Sequence, residues 1–465
     1  MSDTVLAVDI GSTKICAIIA KIEDSRTQIL GHGIAKSQGI KKGAITNIEL
    51  ASKSIKAAMD DAKRIAGSSI SSAIVSISNA YAKSLNSTGV VNIPHKDISM
   101  KEISRVMQTA LYNANVPNEY EVIHVLPYNF RVDDQDLIED PFGMNASRME
   151  VDVNIIMTQK SNLSNLKKAV RSAGVEIDGI VLSGYASAIT TMDQDEKELG
   201  VVVIDLGGQT SNLVVHTGNS IRYGDFLGVG SNHITNDLSM ALHTPLQIAE
   251  NVKIRHGDLL NKSSEIIELP IMGDEDNRNE VSLEIVHSVV FSRAEETLSI
   301  LAKSLDKSGL RDQIGAGIIL TGGMTKLKGI RDLAQSIFPN MPIRIAKPSN
   351  NDIEGLFDEL KDPAYSTVVG LILYKAGGNT QYEINFMQEL LHSKELPEDS
   401  LSDIKISDTI NKVEENKFKK EPRTEKRQKK ESNDSESFSF DDLPSIEEEN
   451  NNPFKKFSNW AKQLF

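Results

Sequence analysis

The chain has 465 residues, 65 acidic against 51 basic, and a formal net charge of −14. It is too long for one ordinary core and too acidic for a general nucleic-acid coat, so no nucleic-acid partner is expected. Its one cysteine, Cys16, excludes an internal disulfide framework and fits a reducing cytoplasm. No apolar run nears the ~18 residues of a spanning helix, and Asp9 and Lys14 break the first apolar stretch, so neither a transmembrane segment nor a secretion signal is expected.

Residues 1–80 read as a β-hairpin, a strand and a helix that opens near Ile45, runs through Met59 and Ala66, and has Asn47 as its N-cap; Ile74–Ile77 returns as a strand. Residues 81–160 break this rhythm with a helix over Met100–Asn115, strands at Val122–Val125 and Val151–Met157, and a turn-rich stretch at Asp133–Asn145, which together read as an inserted α+β unit. His124, on an apolar strand there, reads as a satisfied core residue. The core pattern resumes over 161–200 with a helix at Leu163–Ala173, a strand at Ile177–Leu182 and a helix at Tyr185–Met192. A second half spans 201–380. It begins with the strand at Val201, followed by helices at Ile234–Ala241 and Leu246–Ile254, and a loop or small subdomain to about Glu280. A long helix then covers Val281–Leu305, a strand Ile318–Leu320, a helix Leu327–Ile337 and a last core helix Pro363–Ala376.

Two segments repeat one design: an apolar strand, an aspartate at its end, then glycine and small hydroxyl residues. They are Asp9-Ile-Gly11-Ser12-Thr13-Lys14 and Asp205-Leu-Gly207-Gly208-Gln209-Thr210. Glycine lets such a turn bring backbone N–H groups close to an oxyanion. One Asp-x-Gly turn is an ordinary hairpin. Two of them, with Thr321-Gly322-Gly323-Met324 further on, point to a duplicated α/β fold with nucleotide between its halves. Two glycine turns then clamp the β- and γ-phosphates, and Asp9 and Asp205 hold hydrated Mg2+ between them. Glu250 and Lys253, three apart on one helix face, read either as a surface ion pair or as contacts to the adenosine, with Gly322, Gly323 and Met324 beside them. No Ser/His/Asp or Cys/His arrangement is present, and the nine histidines show no metal-ligand spacing.

Residues 381–452 read as a disordered linker: apolar residues thin out after about Leu391, a mixed Lys/Glu block spans Lys412–Glu431, and serine-rich and acidic runs follow. Residues 453–465 change character again. Phe454, Phe457, Trp460, Leu464 and Phe465 fall on one helical arc, while Lys455, Lys456 and Lys462 lie off it, and no acid intervenes. This is the pattern of a helix lying in an anionic lipid interface, with a groove in a partner as the competing reading. Burying its large apolar side chains gives roughly 7–12 kcal/mol gross, which the ordering of the segment largely cancels. One copy should bind weakly, and many copies on a polymer strongly.

The set resembles the actin-like ATPase superfamily, and within it the FtsA family of bacterial division proteins, over about residues 3–380 and the terminal helix. The resemblance implies two duplicated α/β halves around a nucleotide cleft. Gly11, Ser12, Thr13 and Lys14 stand as the first phosphate turn, Gly207, Gly208, Gln209 and Thr210 as the second, and Glu250, Lys253, Gly322, Gly323 and Met324 as the adenosine site, with ATP and Mg2+ as ligands. It implies an adaptor that polymerises on the cytoplasmic face of the inner membrane, anchors FtsZ filaments through their C-terminal tail, and contacts itself and later division proteins through the inserted unit. Arg293 is the candidate contact to the acidic FtsZ tail, with a solvated surface arginine as the alternative. One departure stands out. Chaperone and rod-shape relatives carry a carboxylate where this chain reads Leu182-Ser183-Gly184-Tyr185, so firm ATP binding with slow or conditional hydrolysis is expected. The competing functions are a PilM-like pilus-assembly homologue and a small-molecule kinase of the same fold; the first lacks a lipid-binding tail, and the second needs a positioned base that no motif here supplies.

Overall fold

The computed structural model describes residues 3–23, 26–78, 80–349 and 353–392. The expected linker beyond residue 392 and the terminal amphipathic helix, including Phe454, Trp460 and the lysines around them, lie outside the described residues.

Each of the two motif strands is the centre of a sheet, and both sheets follow one plan. In the first, Asp3–Ile10 pairs antiparallel with Lys14–Glu23, which pairs antiparallel with Arg26–Lys36. On its other side Asp3–Ile10 runs parallel to Ser72–Ile77, and that strand parallel to Glu176–Leu182. In the second, Val201–Leu206 pairs antiparallel with Ser211–Thr217, which pairs with Ser220–Leu227. Val201–Leu206 also runs parallel to Gly317–Thr321, which is followed by Ile343–Ile345. The spatial order third–second–first–fourth–fifth is therefore the same twice, and Ile353–Gly355 extends the first sheet at one edge. Val201–Leu206 is buried along its whole length, which is why it reads as a continuous apolar run rather than an alternating one. The sequence-level expectation of a duplicated α/β fold is what the chain adopts.

Local signals explain several boundaries. The helix Ile48–Ala66 starts where Asn47 Oδ1 accepts from Leu50 N–H at 3.0 Å, and it ends at Gly67 with φ of 63°. It begins three residues after Ile45, which belongs to a short strand, Ala44–Ile45. The long helix runs over Leu283–Ser308 rather than from Val281, because Val281 closes a hairpin of Ile266–Ile271 with Asp274–Ser282 and Ser282 caps the helix. The last core helix is divided into a 3-10 turn at Pro363–Tyr365, an α-helix at Ser366–Leu373 and a π turn at Tyr374–Gly378.

The inserted unit is a four-stranded antiparallel sheet in the order Lys83–Asn92, Arg148–Gln159, Tyr120–Val132, Gln135–Ile138, packed against the helix Met100–Asn113. The strand Lys83–Asn92 escaped the sequence reading because it is half-exposed and polar, and the turn-rich Asp133–Asn145 contains the short strand Gln135–Ile138.

The first residues of the expected linker, from 381, belong to the folded core. Tyr382, Glu383 and Ile384 are buried, and Val125 and Ile384 exchange backbone hydrogen bonds at 2.9 and 3.1 Å. Glu383 has no exposure, and its oxygens accept from His124 Nδ1–H at 2.6 Å, Tyr374 O–H at 2.8 Å and Tyr185 O–H at 2.9 Å. His124 Nε2 accepts Leu182 N–H at 3.0 Å, so the ring is the neutral Nδ1–H tautomer and the carboxylate carries the charge. Three donors around one buried carboxylate form a satisfied network that would be expensive to break. Glu383→Ala leaves those donors without an acceptor, so it should lower stability by roughly 3 kcal/mol or more, read as a drop in the urea midpoint. Glu383→Gln, which keeps one acceptor, should fall between. Equal midpoints for all three proteins would contradict this account.

Candidate functional site: a nucleotide-sized cleft between the two sheets

Asp9 and Asp205 each stand one residue before the end of the central strand of their sheet, opposite Cys16 and Asn212 in the neighbouring antiparallel strand. Both face one cleft of about 500 Å3. A serine on an adjacent element holds each carboxylate. Ser76 O–H donates to Asp9 Oδ1 at 2.7 Å while its oxygen accepts Ile10 N–H at 2.9 Å. Ser187 O–H donates to Asp205 Oδ2 at 2.6 Å, and Thr367 O–H reaches the same oxygen at 3.3 Å.

Burial dominates the electrostatics. It pushes the Asp9 carboxyl up from 3.8 to about 6, against the pull of Ser76 and Lys14, and nearby Asp205 adds to the rise. Burial also raises Asp205 and lowers Lys14. The Lys14 ammonium sits 3.4 Å above the centroid of the Tyr365 ring. Among the described residues no group of three or more His, Cys, Asp or Glu could hold a metal by protein ligands alone. Two carboxylates without a third protein ligand would fit a hard cation that keeps most of its own water.

The two turns meet across the cleft. A Cβ on Gly208 would come 1.8 Å from Thr13 Oγ1, so the second turn presses on the first and a larger residue there would have to displace the Thr13 side chain. Gly322, at φ of 90°, lies against Asp205, where a Cβ would fall 2.3 Å from Oδ1. Ser12 Oγ accepts Gly43 N–H at 3.0 Å, and the helix Ser231–Ala241 docks on the second turn through Ser231 N–H to Gly207 O and Asn232 N–H to Gly208 O. Ser78 O–H reaches Thr210 Oγ1 and Asn212 Oδ1, which adds hydrogen bonding between the halves.

Most sequence-predicted residues come together here. Asp9, Gly11, Ser12, Thr13, Lys14, Asp205, Gly207, Gly208, Thr210, Glu250, Lys253, Gly322, Gly323 and Met324 all line the cleft. Gln209 does not: its Oε1 accepts Lys42 N–H at 2.9 Å, which makes it a strut between the halves. Glu250 and Lys253 do form the ion pair, but not on the surface, because Lys253 is buried. They line the cleft and form an ion pair at 2.7 Å, with Lys253 Nζ also donating to Thr235 Oγ1 at 2.9 Å. Arg293 lies elsewhere, on the helix Leu283–Ser308. It is not a freely solvated arginine, because Asp237 and Glu296 each bind it at 2.5 Å. Sequence reasoning missed Ser76, Ser187 and Thr367. Their one signal is a hydroxyl inside an otherwise apolar stretch: Ala73-Ile-Val-Ser76-Ile, Ala186-Ser187-Ala188, Ser366-Thr367-Val-Val.

Comparison with known proteins agrees with this architecture. The family model for cell division protein FtsA matches residues 202–370, and that for the SHS2 domain inserted in FtsA matches residues 79–157. Cell division protein FtsA of Helicobacter pylori strain J99 is 42% identical over 412 residues, covering 82% of this chain and 83% of that protein. The Escherichia coli K12 protein of the same name is 32% identical over 381 residues, covering 80% and 90%. Among solved structures, the PilM–PilN type IV pilus biogenesis complex aligns with a TM-score of 0.58 at 15% identity, covering 80% of this chain and 98% of that one, which is a likeness of fold.

The raised Asp9 has a consequence for the unliganded protein. The fold favours its protonated form, so between about pH 4 and 6 rising pH takes stability away, and above that range the full cost is present. Asp9→Asn should therefore stabilise the nucleotide-free protein at pH 7.5, by up to roughly 3 kcal/mol, and the gain should vanish near pH 4. Urea unfolding at both pH values checks this; an equal change at both would contradict it.

Proposed function

This chain belongs to the FtsA family of cell division proteins, actin-like members of the divisome, and on that premise we propose that it binds ATP, assembles on the inner membrane and ties FtsZ filaments to it. The observation that carries the nucleotide part is the pairing of two glycine turns, each under a buried aspartate, across one cleft. Backbone N–H groups of the turns Gly11–Lys14 and Gly207–Thr210 would receive phosphate oxygens, except that of Gly207, which donates to Thr210 O at 2.9 Å. Asp9 and Asp205 would hold Mg2+ through water; when bound, that ion neutralises phosphate charge. Glu250, Lys253, Gly322, Gly323 and Met324 would receive the adenosine. Hydrolysis is slow or conditional on this reading. Ser183, not a carboxylate, lines the cleft after the strand Glu176–Leu182, and Tyr185 is turned to Glu383. The other two cleft carboxylates are engaged: Glu250 by Lys253, and Asp362 by Lys326 at 2.6 Å.

Among the described residues no helix is long and apolar enough to cross a membrane, and the membrane part of the proposal rests on the sequence of residues 453–465, with three lysines among its aromatic residues. The partners of a divisome protein lie among the other division proteins; the acidic FtsZ tail is the proposed one for the second half. Arg293 could meet it by exchanging Glu296, the more exposed of its two carboxylates. The inserted unit is the proposed site of self-association and of contacts to later division proteins. The pilus-assembly alternative keeps only a likeness of fold, and the 42% identity to an FtsA protein outweighs it.

Co-sedimentation with anionic vesicles, with and without ATP–Mg2+, tests the proposal. The full chain should pellet more strongly with ATP, and a chain ending at Asn452 should stay in solution. Electron microscopy should show filaments on the pelleted vesicles. If both chains remain in the supernatant under every condition, the tail is a partner-binding peptide and the membrane role is wrong.

A further inference from the structure

We propose that Ser187 and Thr367 are positioning residues, whose task is to fix the Asp205 carboxylate for the cation–nucleotide complex. The inference rests on the nucleotide reading of the cleft. Ser187 has no solvent exposure and sits in the middle of the helix Ser183–Thr191, between Ala186 and Ala188. A buried serine in such a place commonly bonds back to the carbonyl four residues earlier, as Thr191 does to Ser187 O at 2.7 Å. Ser187 instead donates outward to Asp205 Oδ2 at 2.6 Å. Thr367, on the helix Ser366–Leu373, lies 2.9 Å from Ser187 and 3.3 Å from that same Oδ2. Both hydroxyls thus converge on one carboxylate oxygen, and Oδ1, against Gly322, is the oxygen neither engages.

The origin of the two hydroxyls matters. Asp205 belongs to the second sheet, Ser187 to the helix that follows the last parallel strand of the first, and Thr367 to the closing helix. Those two helices cross in backbone contact: a Cβ on Gly370 would fall 1.9 Å from Ala186 O. Asp205 is therefore aimed by elements outside its own sheet, at the point where the helices cross. Asp9 is aimed from within its own sheet by Ser76. Groups that orient a cation-binding carboxylate typically change cation affinity by ten- to a hundredfold when lost.

The test is the ratio of ATP affinities with and without Mg2+, measured by calorimetry on the full chain with a non-hydrolysable ATP analogue. In Ser187→Ala and in the isosteric Thr367→Val, that ratio should fall about tenfold, while Thr367→Ser keeps the wild-type ratio. Circular dichroism confirms that each variant is folded, and the two sites serve as independent checks. An unchanged ratio in both variants, or an equal loss of affinity with and without Mg2+, overturns the proposal and leaves a structural role. A wild-type protein whose ATP affinity ignores Mg2+, or that binds no ATP, overturns the nucleotide reading itself, an outcome distinct from failure in the variants alone.

Discussion

Asp9 and Asp205 share one nearby ammonium, that of Lys14, and burial raises the proton affinity of both carboxylates while it weakens the hold of Lys14 on its own proton. One ammonium between two acids leaves an excess of negative charge in a place of low solvation, which the cation of the proposed reading would offset. Much of the surrounding architecture serves that pair. Hydroxyls rather than further cations hold the carboxylates, so they are aimed without being neutralised. Gly322 allows backbone to approach Asp205 and Leu206 where any side chain would collide. The other charged residues of the cleft are paired among themselves: Glu250 with Lys253 and Asp362 with Lys326.

A second buried carboxylate obeys the opposite logic. Glu383 has a full set of donors from three different parts of the chain: His124 in the inserted unit, Tyr185 in the helix after the first sheet, and Tyr374 at the end of the closing helix. Its charge is satisfied, and it fastens segments together rather than waiting for a ligand. His124 also accepts Leu182 N–H, immediately before Ser183 in the cleft wall. The inserted unit is thereby joined to the frame of the cleft by hydrogen bonds of short reach as well as by apolar packing. The last described residues lie at the same junction, since Ile384 pairs with Val125.

The sequence carried the fold where a signal was local. Each aspartate–glycine turn marks a strand end, Asn47 marks a helix start, and unbroken apolar runs such as Val201–Leu206 mark buried strands. It lost information where pairing was long-range. Lys83–Asn92 has an alternating, half-polar pattern with no turn to announce it, and it is a strand only because Arg148–Gln159 lies beside it, some sixty residues on. A linker boundary at 381 falls ahead of the last apolar residues, and Tyr382 and Ile384 fill the core of the inserted unit, a partner far away in the chain. The site divides in the same way. The glycines and aspartates were legible because their turns have a chemistry of their own. Ser76, Ser187 and Thr367 were not, because a single hydroxyl in an apolar stretch reveals its role only when the acceptor, up to 162 residues away, is brought beside it.

That division bears on how ATP would act here. A cleft built for rapid hydrolysis needs a group that orients and deprotonates the attacking water, and such a base must be unpaired and placed at the phosphate end. Asp9 and Asp205 are committed to the cation on the proposed reading, Glu250 and Asp362 carry ammonium partners, and the wall after Leu182 offers Ser183. No cleft carboxylate among the described residues is left for the task. What the cleft does possess is contact between its halves: Thr13 against Gly208, Lys42 to Gln209, Ser78 to Thr210 and Asn212. A ligand with phosphates on both turns would draw those same surfaces together. Its binding energy would then go into the relative placement of the two sheets, which suits a nucleotide that sets the shape of a subunit more than one that is turned over.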